Sequence, residues 1–170
     1  MGNESTLIAG IEIPSTSPVF LSVVALHVLL ALICVVVGFA AMMTNKHSAN
    51  HPKLGLIYFW LLAAVFATSA VLSLMRWRED YHLFVLGMLS FGSAWLGRAA
   101  AARESPRSIR RHLSYMGVSY VLLLTAFYVD NGRNLPIWRD LPSIVYWVLP
   151  ALIGVPLILR TLWRHPLARV

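Results

Sequence analysis

Five apolar stretches, each on the scale needed to cross a lipid bilayer, constrain this chain more than anything else in it. A helix needs about 20 apolar residues to span the hydrocarbon core, and runs of that order sit at about residues 18–43, 54–75, 81–102, 113–129 and 142–163. The fourth is the shortest. The chain is 12% charged, against about 25% for a soluble domain, and its mean hydropathy is +0.70. The runs are too long for strands and lack the alternation of a barrel. The expected fold is all-α: one bundle of five transmembrane helices over 18–163, between an outer tail, 1–17, and a basic cytoplasmic tail, 164–170.

Charge is sorted between the connections. Lys46, Lys53, Arg98, Arg103, Arg107, Arg110, Arg111, Arg160, Arg164 and Arg169 fall on one set, with Glu104 as its acid. Glu4, Glu12, Glu79, Asp80, Asp130 and Asp140 fall on the other set, beside Arg76, Arg78, Arg133 and Arg139. Basic connections stay in the cytoplasm, so the expected N-terminus is outside, the C-terminus inside, and the location a bacterial inner membrane. An anionic inner leaflet is then a partner, attracting each basic residue by roughly 1 kcal/mol. The pI near 10.2 does not mark a nucleic-acid binder, because apolar spans interrupt the basic residues. Cys34 is the single cysteine, so no intrachain disulfide forms. Met1–Thr6 fits a loose myristoylation pattern, but on the outer side. The acidic tail and long first run argue for an uncleaved span over a cleaved signal peptide.

Ionisable residues inside a membrane point to function. His27 lies about nine residues into the first span, roughly 13 Å along its axis, with Gly38 on the same face. The functional reading stands against a neutral histidine bonded to a facing Ser or Thr. His51 opens the second span and His112 the fourth, both from the cytoplasmic side and at nearly equal depth. Two histidines so placed suit a six-coordinate haem iron. Gly55, one turn after His51, makes room for the porphyrin, and Lys53, Arg110 and Arg111 offer charge-assisted partners for its propionates. The alternative is that both histidines anchor their helices at the headgroups. His82 is too shallow to share a haem with His27. His47 could join His51 at a zinc, but no third ligand is evident, and His165 belongs to the basic tail.

Two further features carry alternatives. The fourth span holds Tyr115, Ser119, Tyr120, Thr125 and Tyr128, hydroxyls that serve a quinone or proton path or bond across helix interfaces. Pro150, Gly154 and Pro156 make the fifth span either kinked or broken around a site. Cys34/Gly38, Ser90/Ala94 and Ser93/Gly97 are small-residue pairs that let helices approach. No phosphate loop, nucleophile elbow, HExxH or CxxC is present, so no soluble-enzyme chemistry is expected.

The elements His51-Pro52-Lys53-Leu54-Gly55-Leu56-Ile57-Tyr58 and Arg111-His112-Leu113-Ser114-Tyr115-Met116-Gly117-Val118-Ser119-Tyr120, with a histidine in the first span, resemble a family of small bacterial multi-pass membrane proteins of unknown function. Over about residues 20–130, the matching positions are His27, His51, Gly55, Tyr58, His112, Met116, Ser119 and Tyr120. Pro52 and Leu113 stand where that family carries arginine, and Gly117-Val118 where it tends to have a basic residue. A looser likeness is to b561-type membrane cytochromes. The resemblance implies a membrane architecture and supplies no activity. The leading expectation is a haem-b-binding redox protein with His51 and His112 as iron ligands. The alternative is a non-enzymatic accessory subunit, or a solute- or lipid-handling protein using His27 and the fifth span. Self-association or a membrane complex partner is compatible with either.

Overall fold

The computed structural model describes residues 6–8, 11–13, 17–103, 105–136 and 138–164. The expectations placed on Glu4, Glu104, His165 and Arg169 fall outside them. Two short strands, β1 (Thr6–Ile8) and β2 (Ile11–Ile13), pair antiparallel with Leu7 opposite Glu12. This ladder is an addition to the expected tail. Five helices follow: α1 (Pro18–Met43), α2 (Asn50–Met75), α3 (Trp77–Ala101), α4 (Pro106–Asn131) and α5 (Ser143–Arg164). Each is long and apolar enough to cross a membrane.

Their ends follow local chemistry. Pro18 and Pro106 stand in the first turns of α1 and α4, where a missing N–H costs nothing. Ser105 caps α4 by accepting the Ser108 N–H at 3.2 Å. Helix α4 has 26 residues, so the expected short span of 113–129 is corrected at both ends. Its first turns, Pro106–Arg111, are too basic to register as apolar, yet arginine at a helix end reaches back to water. At its far end Asp130 and Asn131 complete the helix, and a 3-10 turn follows at Gly132–Asn134. Helix α2 likewise begins before residue 54, and α3 before 81. The link between them shrinks to Arg76, the shared cap residue. The Ser73 hydroxyl fastens this hairpin by donating to Asp80 O at 3.1 Å. Helix α5 runs unbroken through Pro150 and Pro156, which removes the broken fifth span.

The helices pack in chain order, α1 on α2, α2 on α3 and α3 on α4, and α5 lies on α4. Cys34, Tyr58, Phe59, Leu62, Val65, Ala94 and Leu123 form the buried centre. Small residues set the spacing. A side chain at Gly38 would meet the rings of Tyr120 and Tyr58 at 2.7–2.9 Å, and one at Gly97 would meet Met116 Sδ at 2.8 Å. Ser90 and Ala94 are buried beside them on α3. Large apolar side chains such as Val36 (67% exposed), Leu74 (72%) and Leu152 (65%) face outward. An apolar surface on this scale is foreign to a monomer in water and suits lipid.

Candidate functional site

The bundle brings His51 and His112 together: their ring centres are 6.4 Å apart and their planes 87° from parallel. Each ring is held by a backbone carbonyl of the preceding helix. His51 Nδ1 is 3.0 Å from Ala41 O, and His112 Nδ1 is 2.9 Å from Gly97 O. A carbonyl can only accept, so each Nδ1 carries the proton and a neutral ring keeps its lone pair on Nε2. Ala41 is within three residues of the end of α1, where carbonyls lack intrahelical partners. Lys46 Nζ donates to the same Ala41 carbonyl at 3.1 Å and to Met42 O at 2.8 Å. Desolvation beside the helix end holds the Lys46 ammonium below the usual lysine pKa.

Two turns deeper, the same faces of α2 and α4 meet again. Tyr58 and Ser119 each follow the histidine of their helix by seven residues, close to two turns. Tyr58 Oη and Ser119 Oγ are 2.9 Å apart, and the Ser90 hydroxyl donates to Ser119 O at 2.8 Å. The Tyr120 hydroxyl donates to Val35 O at 3.0 Å, joining α4 to α1. Ser119 and Tyr120 thus bond across interfaces, whereas Thr125 donates to Val121 O of its own helix. Met116 packs on Gly97, whose carbonyl holds His112. A side chain at Gly55 would meet open space.

Lys53, Arg110 and Arg111 are exposed. Lys53 and Arg110 each lie two residues from the histidine of their helix, about 200° around it, so they present to a different side. His47 sits in the α1–α2 connection, its N–H bonded to Asn45 Oδ1. His82 is ringed by Tyr81 and Trp147. No cluster of three or more His, Cys, Asp or Glu side chains fit to hold a metal ion exists among the described residues. A metal between His51 and His112 therefore takes only two ligands from these residues.

His27 belongs to a separate place. Its Nδ1 is 2.8 Å from Thr68 Oγ1 on α2. Ala64 O and Val65 O, each 3.0 Å from Thr68 Oγ1, can take the Thr68 proton. With it placed there, His27 Nδ1–H donates to Oγ1 and Nε2 is the acceptor. His27 lines a cavity of about 310 Å³, with Ser69, Ser90, Phe127 and Asp130 among the other walls. The lining comes from α1 to α4 and includes no α5 residue, so the expected border at Pro150–Pro156 is absent. Lys46 and this cavity were not legible in the sequence: one acts on backbone carbonyls and the other is a gap between helices. No protein-family model, curated protein or solved structure matches the chain.

Proposed function

We propose that this is a multi-pass protein of a bacterial inner membrane, N-terminus outside, that binds haem b between His51 and His112 and transfers electrons. The 6.4 Å separation of the two ring centres carries the reading. Two metal–nitrogen bonds of about 2 Å, with about 1 Å from each nitrogen to its ring centre, put paired imidazoles about 6 Å apart. Both rings keep Nε2 for a metal while Nδ1–H is held by a carbonyl, the usual support of a ligating histidine. With two protein ligands in hand, the remaining positions suit the four nitrogens of a porphyrin better than a bare ion. Bound haem would supply one-electron chemistry.

This chain's residues do the holding. The Ala41 and Gly97 carbonyls fix the tautomer and direction of His51 and His112. Gly55 leaves space on α2. Arg111, next to His112 in the chain, supplies positive charge at the start of α4, whereas Lys53 and Arg110 present to a different side and do not hold the group. Lys46 adds an ammonium beside the Ala41 carbonyl. The test is an optical spectrum of the detergent-purified protein, oxidised and dithionite-reduced, after expression with ample haem. A Soret band with sharp reduced α and β bands, lost in His51→Ala and in His112→Ala, is expected. A colourless, folded protein would overturn haem binding and leave both histidines as ties between helix ends.

A further inference from the structure

We infer that the cavity beside His27 is a binding site for a lipophilic quinone or its quinol. The site rests on the membrane placement proposed above but is independent of haem.

Access comes first. Helices α1 and α4 are joined where Tyr120 reaches Val35, and the cavity lies beyond that tie toward Asp130 and Asn131 at the end of α4. Val28 (46% exposed) and Leu32 (52%) both line it. The α1 wall therefore also faces the outside of the bundle, and a ligand arriving there arrives from lipid. The volume of about 310 Å³ sits at the lower end of small-molecule pockets, roughly 300–1,000 Å³. It suits a substituted ring and the first part of a tail.

The lining then selects the head. Water is a poor filling, because each buried water needs two to four polar partners and most of the wall is apolar. A plain acyl chain is also poor. It would leave the His27 Nε2 lone pair unsatisfied, together with the Ser69 hydroxyl, which has no hydrogen-bond partner among the described residues. Leaving such groups unpaired costs roughly 1–3 kcal/mol each. A phospholipid phosphate is disfavoured by charge: the lining contains Asp130 and neither lysine nor arginine. An uncharged head with oxygens that both accept and donate answers each point. The quinol meets both: one hydroxyl oxygen accepts from Ser69, another hydroxyl donates to His27 Nε2, and its planar ring packs against Phe66 and Phe127. The quinone carbonyls accept from Ser69 alone.

The test uses the full-length protein extracted in detergent, with thermal unfolding followed while decylubiquinone, its quinol, or decanol is added. The quinol should raise the melting temperature, and the quinone, which cannot donate to His27, should raise it less. Decanol, which has the same tail length, should not raise it. His27→Leu should weaken quinol binding about tenfold, the loss of one good hydrogen bond. Ser69→Ala, the milder change, should weaken it with the fold intact by circular dichroism, so a folding failure in the first variant does not decide the matter. An equal shift with decanol, or full affinity in Ser69→Ala and folded His27→Leu, would overturn the site as a quinone site. Protein found in the soluble fraction before detergent is added would overturn the placement and the quinone together. Detergent-extracted protein that ignores the quinol overturns the quinol site alone.

Discussion

At the residue scale, the centre of the bundle is a small polar node in an apolar interior. Ser119 is buried, bonded through its hydroxyl to Tyr58 and through its carbonyl to Ser90. Interhelical hydrogen bonds in lipid average only about 0.6 kcal/mol, because unpacked helices find other partners. A double-mutant cycle of Tyr58→Phe and Ser119→Ala should therefore give a coupling of about 0.6 kcal/mol, read from unfolding in mixed micelles. A coupling near zero would mean the two hydroxyls do not share a proton. Gly38 answers to sterics instead. Any Cβ there is closer to the Tyr120 and Tyr58 rings than contact allows, so Gly38→Val should destabilise by about 1–3 kcal/mol. The same variant should disturb the Tyr120–Val35 tie.

At the element scale, α4 is the helix that seats α5. It packs on α3 and α5 and touches α1. Helix α5 is seated by two glycine contacts, Gly117 against Ile158 and Gly154 against Val121. Gly154→Leu should loosen α5 and leave the Tyr58–Ser119 node in place. Limited proteolysis in micelles would then cut the α4–α5 connection sooner, while a haem spectrum, where present, stays unchanged. Loss of the spectrum in this variant would show that α5 supports the histidine pair. The helices themselves were largely legible, since long apolar runs leave few alternatives. Their ends were not. The basic first turn of α4 and the polar start of α2 are helical because a helix continues past the hydrocarbon, and hydropathy rewards only what lies within it. Pro150 and Pro156 invited a break, yet α5 passes through both. Equal depth made His51 and His112 a candidate pair, but whether their rings meet came only from the fold, which sets them 6.4 Å apart. Their hold on Ala41 and Gly97 could not be read, because backbone acceptors have no letter in a sequence.

At the scale of the whole molecule, geometry and charge carry different information. Five helices of membrane-crossing length define a bundle, but only the sorting of Lys and Arg gives it a direction. The α1–α2 connection carries Lys46 and the α3–α4 connection carries Arg103, whereas Glu79 and Asp80 begin α3 at the opposite end. With the N-terminus outside, Ser48 faces the cytoplasm and Asn134 the exterior. Single cysteines at these two positions separate the orientations, and the native Cys34 does not interfere because it is fully buried. An impermeant maleimide added to intact cells should label Asn134→Cys and spare Ser48→Cys until the membrane is permeabilised. The reverse pattern would invert the protein. His51 and His112 would then open to the exterior and the quinone cavity toward the cytoplasm, so the same experiment decides which side of the membrane each proposed site serves.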